Sequence, residues 1–245
     1  MVKGRVPPVV AKAGRRAFEV TFQKGERGGN SSNSNFDIAP PGFFPADEVR
    51  VSFFLYFDDR FPWSPTPAMP KIGGKLGGFE IGQGSASGGN FSTTGASFRI
   101  TFANEGGLLG YVYPQVRRAF RDDDKGSSIS WDLLDQSAAF QRISKITKGV
   151  HVFVPEGGKQ GDFDLELKKG RWNEIEMYAK LNTPGKYDGV LELTVNGVKK
   201  RTEHARLRHT GIRLQAFKLH PFFGGSQRPP FDTKAWYADF SFSRT

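Results

Sequence analysis

SFRITFANEGGLLGYVYPQ, residues 97–115, alternates apolar and polar side chains on either side of a glycine-bearing turn. Successive side chains of a strand point to opposite faces, so Phe98, Ile100 and Phe102 share one face and Ser97, Arg99 and Thr101 the other. Beyond ANEGG, Leu109, Tyr111, Tyr113 and Gln115 alternate with Gly110, Val112 and Pro114. This predicts a hairpin whose turn has glycine available for a bulge. Loop parity decides which side chains meet across it. An odd loop sets Arg99 opposite Tyr111 or Tyr113, whereas an even loop sets it opposite Val112 and sends the tyrosines to the other face. The odd register puts the phenylalanine stripe in the core and gathers Ser97, Arg99, Tyr111 and Tyr113. It is the expected one, because an arginine buried without a partner is costly.

The same alternation recurs in AFEVTF (17–22), VRVSFFLYF (49–57), VHVFV (150–154) and EIEMYAKL (174–181). It returns in VLELTVNGVKKRT (190–202), IRLQAFKL (212–219) and WYADFSF (236–242). Asn196-Gly197 is a strong hairpin signal, since a type I′ turn needs positive φ at both positions. Only SWDLLDQSAAFQRI (130–143) could hold a helical turn or two. Many short antiparallel strands predict an all-β sandwich or jelly roll. With no repeat and no dividing linker, one domain over residues 1–245 is expected, with 1–16 a loose N-terminal segment. RGGNSSNSN (27–35) and FPWSPTPAMP (61–70) read as long loops, the second stiff enough for a rim or lid.

Composition narrows the function classes. With 245 residues, 37% of them hydrophobic and 23 of them phenylalanine, the chain can bury a sizeable core. The absence of cysteine excludes disulfides and thiolate chemistry. No apolar run approaches the roughly 20 residues that span a bilayer. The start, MVKGRVPPVVAKAGRRAFEV, lacks the apolar block of a signal peptide. A net charge of +10 points to a polyanion: nucleic acid, an anionic membrane or an acidic polysaccharide. Solubility alone would also account for it. The basic residues are scattered without a recognition motif, and Phe98 and Phe102 alternate as core residues do, which argues against nucleic acid. Asp122, Asp123 and Asp124 lack the spacing and glycine of a calcium loop and read as a solvated turn, so no metal is expected. NSS (30–32) and NFS (90–92) fit glycosylation sequons, which matter only in a secreted chain.

AMPKIGGKLGGFEIGQG, residues 68–84, sets Lys71 and Lys75 four apart among glycines. Either this is a flexible loop, or the glycines leave room for something bulky to approach the lysines. If the segment is a strand beside 97–102, both lysines can face Arg99. The result is a pocket of two lysines, an arginine, two tyrosines and a serine, with no carboxylate among them. An ordinary solvated sheet face carries the same residue types, so this pattern leaves both options open.

PKIGGKLGGFEIG, followed by SFRITF and GYVYPQ, resembles the polysaccharide lyases of algal (Chlorella) viruses and marine molluscs that cleave alginate or glucuronan. FFGGS (222–226) and AWYADFSF (235–242) extend the resemblance, which runs from about residue 18 to the end but not through 121–140. It implies a β-jelly roll with a basic concave cleft that cleaves polyuronates by β-elimination, with no cofactor and no obligatory metal. It assigns the catalytic positions to Lys75, Ser97, Arg99, Tyr111 and Tyr113, and places Lys71 in the same cleft as a substrate-binding residue. None of the four histidines matches a family motif. The implied partner is an acidic polysaccharide of an extracellular cell wall, with neither nucleic acid nor membrane involved. A monomer is expected. The chain's own location stays open, a virus particle included.

Elimination removes the C5 proton of a uronate and expels the C4 oxygen. The neighbouring carboxylate opposes carbanion formation, so a cation beside it helps most as charge grows. Arg99 suits that task by planar contact. A tyrosine can move protons if nearby cations lower its pKa from about 10. Tyr111 or Tyr113 is therefore expected to do so, with Lys75 as the alternative base. In glucuronate and mannuronate the C5 hydrogen and C4 oxygen lie on one side of the ring, so a single cluster suffices. Ser97 is read as orienting a lysine or a sugar hydroxyl, not as a nucleophile. A non-catalytic binding module is the main rival. A glycoside hydrolase would need two carboxylates across the bond, and Glu80, the one nearby, reads as structural.

Overall fold

A computed structural model describes residues 2–28, 32–64, 73–83, 92–116, 150–153, 163–224 and 227–244. Its strands are β1 (Val2–Arg5), β2 (Val9–Lys12), β3 (Arg15–Phe22), β4 (Asn35–Ile38) and β5 (Glu48–Phe57). Next come β6 (Gly73–Gly82), β7 (Gly95–Ala103), β8 (Leu108–Tyr113), β9 (Val150–Val152) and β10 (Trp172–Lys180). The chain closes with β11 (Gly189–Val195), β12 (Val198–Ala205), β13 (Leu214–Leu219), β14 (Phe222–Phe223) and β15 (Thr233–Ser243). No α-helix occurs among the described residues. Positions 130–143, the aspartates at 122–124, Lys71 and both sequon asparagines lie outside them.

The strands form two antiparallel sheets. The first runs β1-β4-β13-β6-β7-β8-β9, with β14 also beside β6; the second runs β12-β11-β10-β5-β15-β3-β2. This is the expected sandwich of the jelly-roll type. One apolar core lies between the sheets, fed by Phe53, Phe57, Phe79, Phe98, Phe102 and Phe217. Each such ring contributes roughly 1.5–3 kcal/mol by leaving water. Some rings meet edge to face, as Phe57 and Phe61 do at 4.6 Å, and others stack, as Phe79 and Phe98 do at 6.4 Å. Aromatic quadrupoles favour both edge-to-face and offset-stacked pairs.

Turn chemistry agrees with the sequence. Asn196 and Gly197 have φ of 48° and 85°, as a type I′ hairpin requires. In the hairpin of residues 97–115, a 3₁₀ turn at Asn104–Gly106 places Glu105 at φ 54° and Gly106 at φ 82°.

Two expectations are corrected. The described part of the N-terminal segment, residues 2–16, does not hang loose: β1 pairs with β4, and β2 forms a hairpin with β3. The hairpin is held because the Lys12 ammonium sits over the rings of Tyr56 and Trp236, and Trp172 Nε1 donates to the Ala13 carbonyl at 3.1 Å. The start of the proline-rich run is not a rim either. Phe61 and Trp63 are core residues packed on Phe57, because burying two large rings outweighs the local loop chemistry.

Candidate active site

The odd register holds. Arg99 stands opposite Tyr111, and Ser97 opposite Tyr113, across β7 and β8. On the other side of β7, Glu80 of β6 opposes Ser97 and Gly78 opposes Arg99. Phe98, Ile100 and Phe102 enter the core, so Glu80, Ser97, Arg99, Tyr111 and Tyr113 share the face turned away from it.

Lys75 reaches that face by a different device. It lies five residues before Glu80, an odd separation that regular alternation would place on the opposite face. A bulge between Lys75 and Gly77 intervenes: Gly77 opposes Ile100, Lys75 opposes Thr101, and Leu76 has no register partner on β7. Leu76 turns into the core, and the extra residue returns Lys75 to the side of Arg99. From the other flank Phe222 of β14 stands opposite Lys75.

The Lys75 ammonium nitrogen lies 5.0 Å from the ring centres of both Tyr111 and Tyr113, and 5.7 Å from that of Phe222. It is buried and makes no hydrogen bond among the described residues. Burial first, and then the Arg99 charge, lower its pKa to about 7, with Glu80 acting weakly in the opposite sense. Arg99 is ion-paired with Glu80. Tyr113 Oη donates to Tyr111 Oη at 3.2 Å, the two rings meeting edge to face. Burial, with Tyr113 beside it, pushes the Tyr111 hydroxyl well above the ordinary tyrosine range.

Lys75, Arg99, Tyr111 and Tyr113 therefore converge, with Ser97 between Glu80 and Tyr113. Several details differ from the sequence reading. The cluster is covered: Lys75 and Arg99 are 7% and 1% exposed. Tyr111, Phe222 and Glu80 are its partly exposed members. A carboxylate is present after all, since Glu80 is what makes a buried Arg99 tolerable. Nearby cations do not lower Tyr111, because desolvation dominates. Nor do the glycines clear a path for a ligand. A Cβ on Gly78 would lie 2.2 Å from the Phe98 carbonyl oxygen, and one on Gly74 would lie 2.1 Å from that of Phe222. They let neighbouring strands close around Lys75.

Residues 10–240 match the family model for polysaccharide lyase 14. The chain belongs to polysaccharide lyase family 14. Exolysin of Paramecium bursaria Chlorella virus 1 is 29% identical over 211 residues, which is 81% of this chain but 29% of that protein's length. The alginate lyase vAL-1 from Chlorella virus has the same fold, with TM-score 0.73 and 24% identity over all of this chain and 91% of its own. The alginate lyase of Aplysia kurodai has TM-score 0.69 and 21% identity, over 94% of this chain and 83% of its own.

Phe222 and Lys218 were not singled out from the sequence. Lys218 opposes Gly78 across β13 and β6, and its ammonium lies 3.2 Å from Asp37 Oδ1. FFGGS was the available signal for Phe222, but only the pairing of β14 with β6 gives it a place. Among the described residues, no three His, Asp or Glu side chains gather into a metal-holding group.

Proposed function

We propose that the chain cleaves a polyuronate by β-elimination, with Lys75 as the base. The observation that carries this is the Lys75 amine itself: buried, without a hydrogen-bond partner among the described residues, and with its pKa brought to about 7. A base poised near neutral pH is what proton abstraction from carbon needs. Lys75 takes the C5 proton, the electron pair forms the C4–C5 double bond, and the C4–oxygen bond breaks. A tyrosine hydroxyl, Tyr111 or Tyr113, delivers a proton to the departing oxygen. Tyr111 is suited to donating because burial keeps it protonated. Arg99 neutralises the uronate carboxylate, and Glu80 fixes the guanidinium plane. Ser97 orients a sugar hydroxyl.

All these groups lie on one sheet face, so removal and protonation occur on one side of the sugar. Polyglucuronate and mannuronate-rich alginate, whose C5 hydrogen and C4 oxygen are on the same side, are the favoured substrates. Acidic polysaccharide is thus the partner, with neither metal nor cofactor needed for the steps.

Glucuronan, mannuronate-rich alginate, guluronate-rich alginate and pectate should be incubated with the protein while ultraviolet absorbance is monitored. Growth of the unsaturated-uronate band on the first two, and slower growth on guluronate-rich alginate, is expected. Binding of these polymers with no absorbance from any of them would reassign the chain as a non-catalytic binding module.

A further inference from the structure

We propose that Tyr237, in the opposite sheet, is a positioning residue for Lys75, acting through the backbone of the bulge at Leu76. Tyr237 is wholly buried in the core, stacked on Phe53 at 6.0 Å. A phenylalanine would fill that space without a polar atom to satisfy. The Tyr237 hydroxyl crosses the sandwich and donates to the Leu76 carbonyl at 3.2 Å.

The carbonyl it reaches is a specific one. Leu76 has no register partner on β7, on β13 or on β14, because pairing with β13 stops at Gly78 and pairing with β14 begins at Lys75. The bulge thus lacks the paired neighbours that fix the rest of β6, and a buried carbonyl there needs a donor. Tyr237 supplies one from β15. The bulge in turn decides which face Lys75 occupies. Gly77 accommodates it at φ 155°, where a Cβ would stand 3.0 Å from the Lys218 carbonyl oxygen. Tyr237, Leu76 and Lys75 therefore form a chain from the core to the amine, and the hydroxyl is its first link.

Among the described residues, the groups facing that amine are Arg99 from β7, Tyr111 and Tyr113 from β8, and Glu80 from its own strand, with uncharged Phe222 on β14. A bulge that slackens moves the amine relative to all of them and lets water in. Its titration then returns toward the ordinary lysine value.

The inference rests on Lys75 being the base, so its test has one arm that needs no substrate. Tyr237→Phe and, separately, Gly77→Ala are prepared, the second disturbing the bulge without touching the hydroxyl. In protein carrying ¹³C-labelled lysine, Lys75 should titrate near 7 in the parent and at least one pH unit higher in each folded variant. With polyuronate as substrate, kcat should fall roughly ten- to a hundred-fold, the scale of a small misplacement, with KM within about two-fold and the alkaline rise moved up in step. A merely structural role would lower the melting temperature and leave the Lys75 titration and the pH profile where they were. That result in either folded variant overturns the proposal. A parent that turns over no polyuronate refutes the lyase reading instead, and the titration arm still decides the placement of Lys75.

Discussion

Lys75 and Arg99 stand side by side on one sheet face, both buried, and the charge of one lowers the pKa of the other. A base must be neutral to accept a proton, so the rate should rise as pH passes through about 7, where Lys75 loses its charge. An initial-rate profile from acid to alkaline pH checks this, and a maximum in acid would be incompatible with an amine base. Lys75→Met should lower kcat by more than about a hundred-fold, the lower end for losing an acid–base group.

Removing Lys75 should act on stability in the sense opposite to its effect on activity. The unfolded chain holds the Lys75 proton up to about 10.4, so between about 7 and there it binds more protons than the folded one. Lys75 therefore makes stability rise with pH over that window and weigh against folding below it. Lys75→Met should be more stable than the parent at acid and neutral pH, by an amount on the order of a few kcal/mol, with the difference shrinking toward alkaline pH. Denaturant titrations at three pH values test it.

Glu80 should act through Arg99. Glu80→Gln leaves a guanidinium buried beside a weaker partner, a loss of about 3–5 kcal/mol for a broken buried pair, toward the low end here because Glu80 keeps 13% of its side chain exposed. It also removes the charge that raises the Lys75 pKa, so the alkaline rise in rate should begin at lower pH. Arg99→Met should shift that rise upward and reduce kcat. Paired pH profiles of the two variants separate the effects by sign.

Tyr111→Phe removes the partner of the Tyr113 hydroxyl and a candidate proton donor. If Tyr111 donates, kcat should fall by about 10²–10⁴ while the lower limb of the profile, set by Lys75, stays in place. Tyr113→Phe tests the alternative donor identically. Full activity in one of them removes that tyrosine from the reaction.

The face shared by Arg99 and the two tyrosines was legible because strand parity is strict and the core stripe Phe98, Ile100 and Phe102 fixes it. Lys75 was placed beside them in the sequence by its spacing from Lys71, which ignored its odd distance from Glu80. The glycines of KLGGF permit a bulge but do not locate it, since its position depends on where β13 and β14 stop pairing. The burial of Arg99 was equally hidden, because exposure is a property of the whole assembly and not of alternation. β1 and β2 escaped notice for a related reason. VKGR and VVAK are four residues each, and the first is held by β4, distant in sequence. The second, though in a hairpin with β3, is too short to show a clear alternation and leans on aromatic contacts.

Gly78 separates the two accounts of the glycine-rich strand. Its φ is 150°, and a Cβ would press to 2.2 Å from the Phe98 carbonyl oxygen and 2.4 Å from the Arg99 Cα. Both are backbone atoms of β7, which cannot swing aside as a side-chain tip can. Gly78→Ala should therefore push β6 from β7 at the point where Arg99 is held, costing at least the roughly 1–3 kcal/mol of a strained backbone position. A lowered melting temperature with weakened turnover is expected from thermal unfolding and absorbance assays run together. Had the glycine served to admit a sugar chain, the variant would keep its melting temperature and lose affinity alone, a raised KM with unchanged stability.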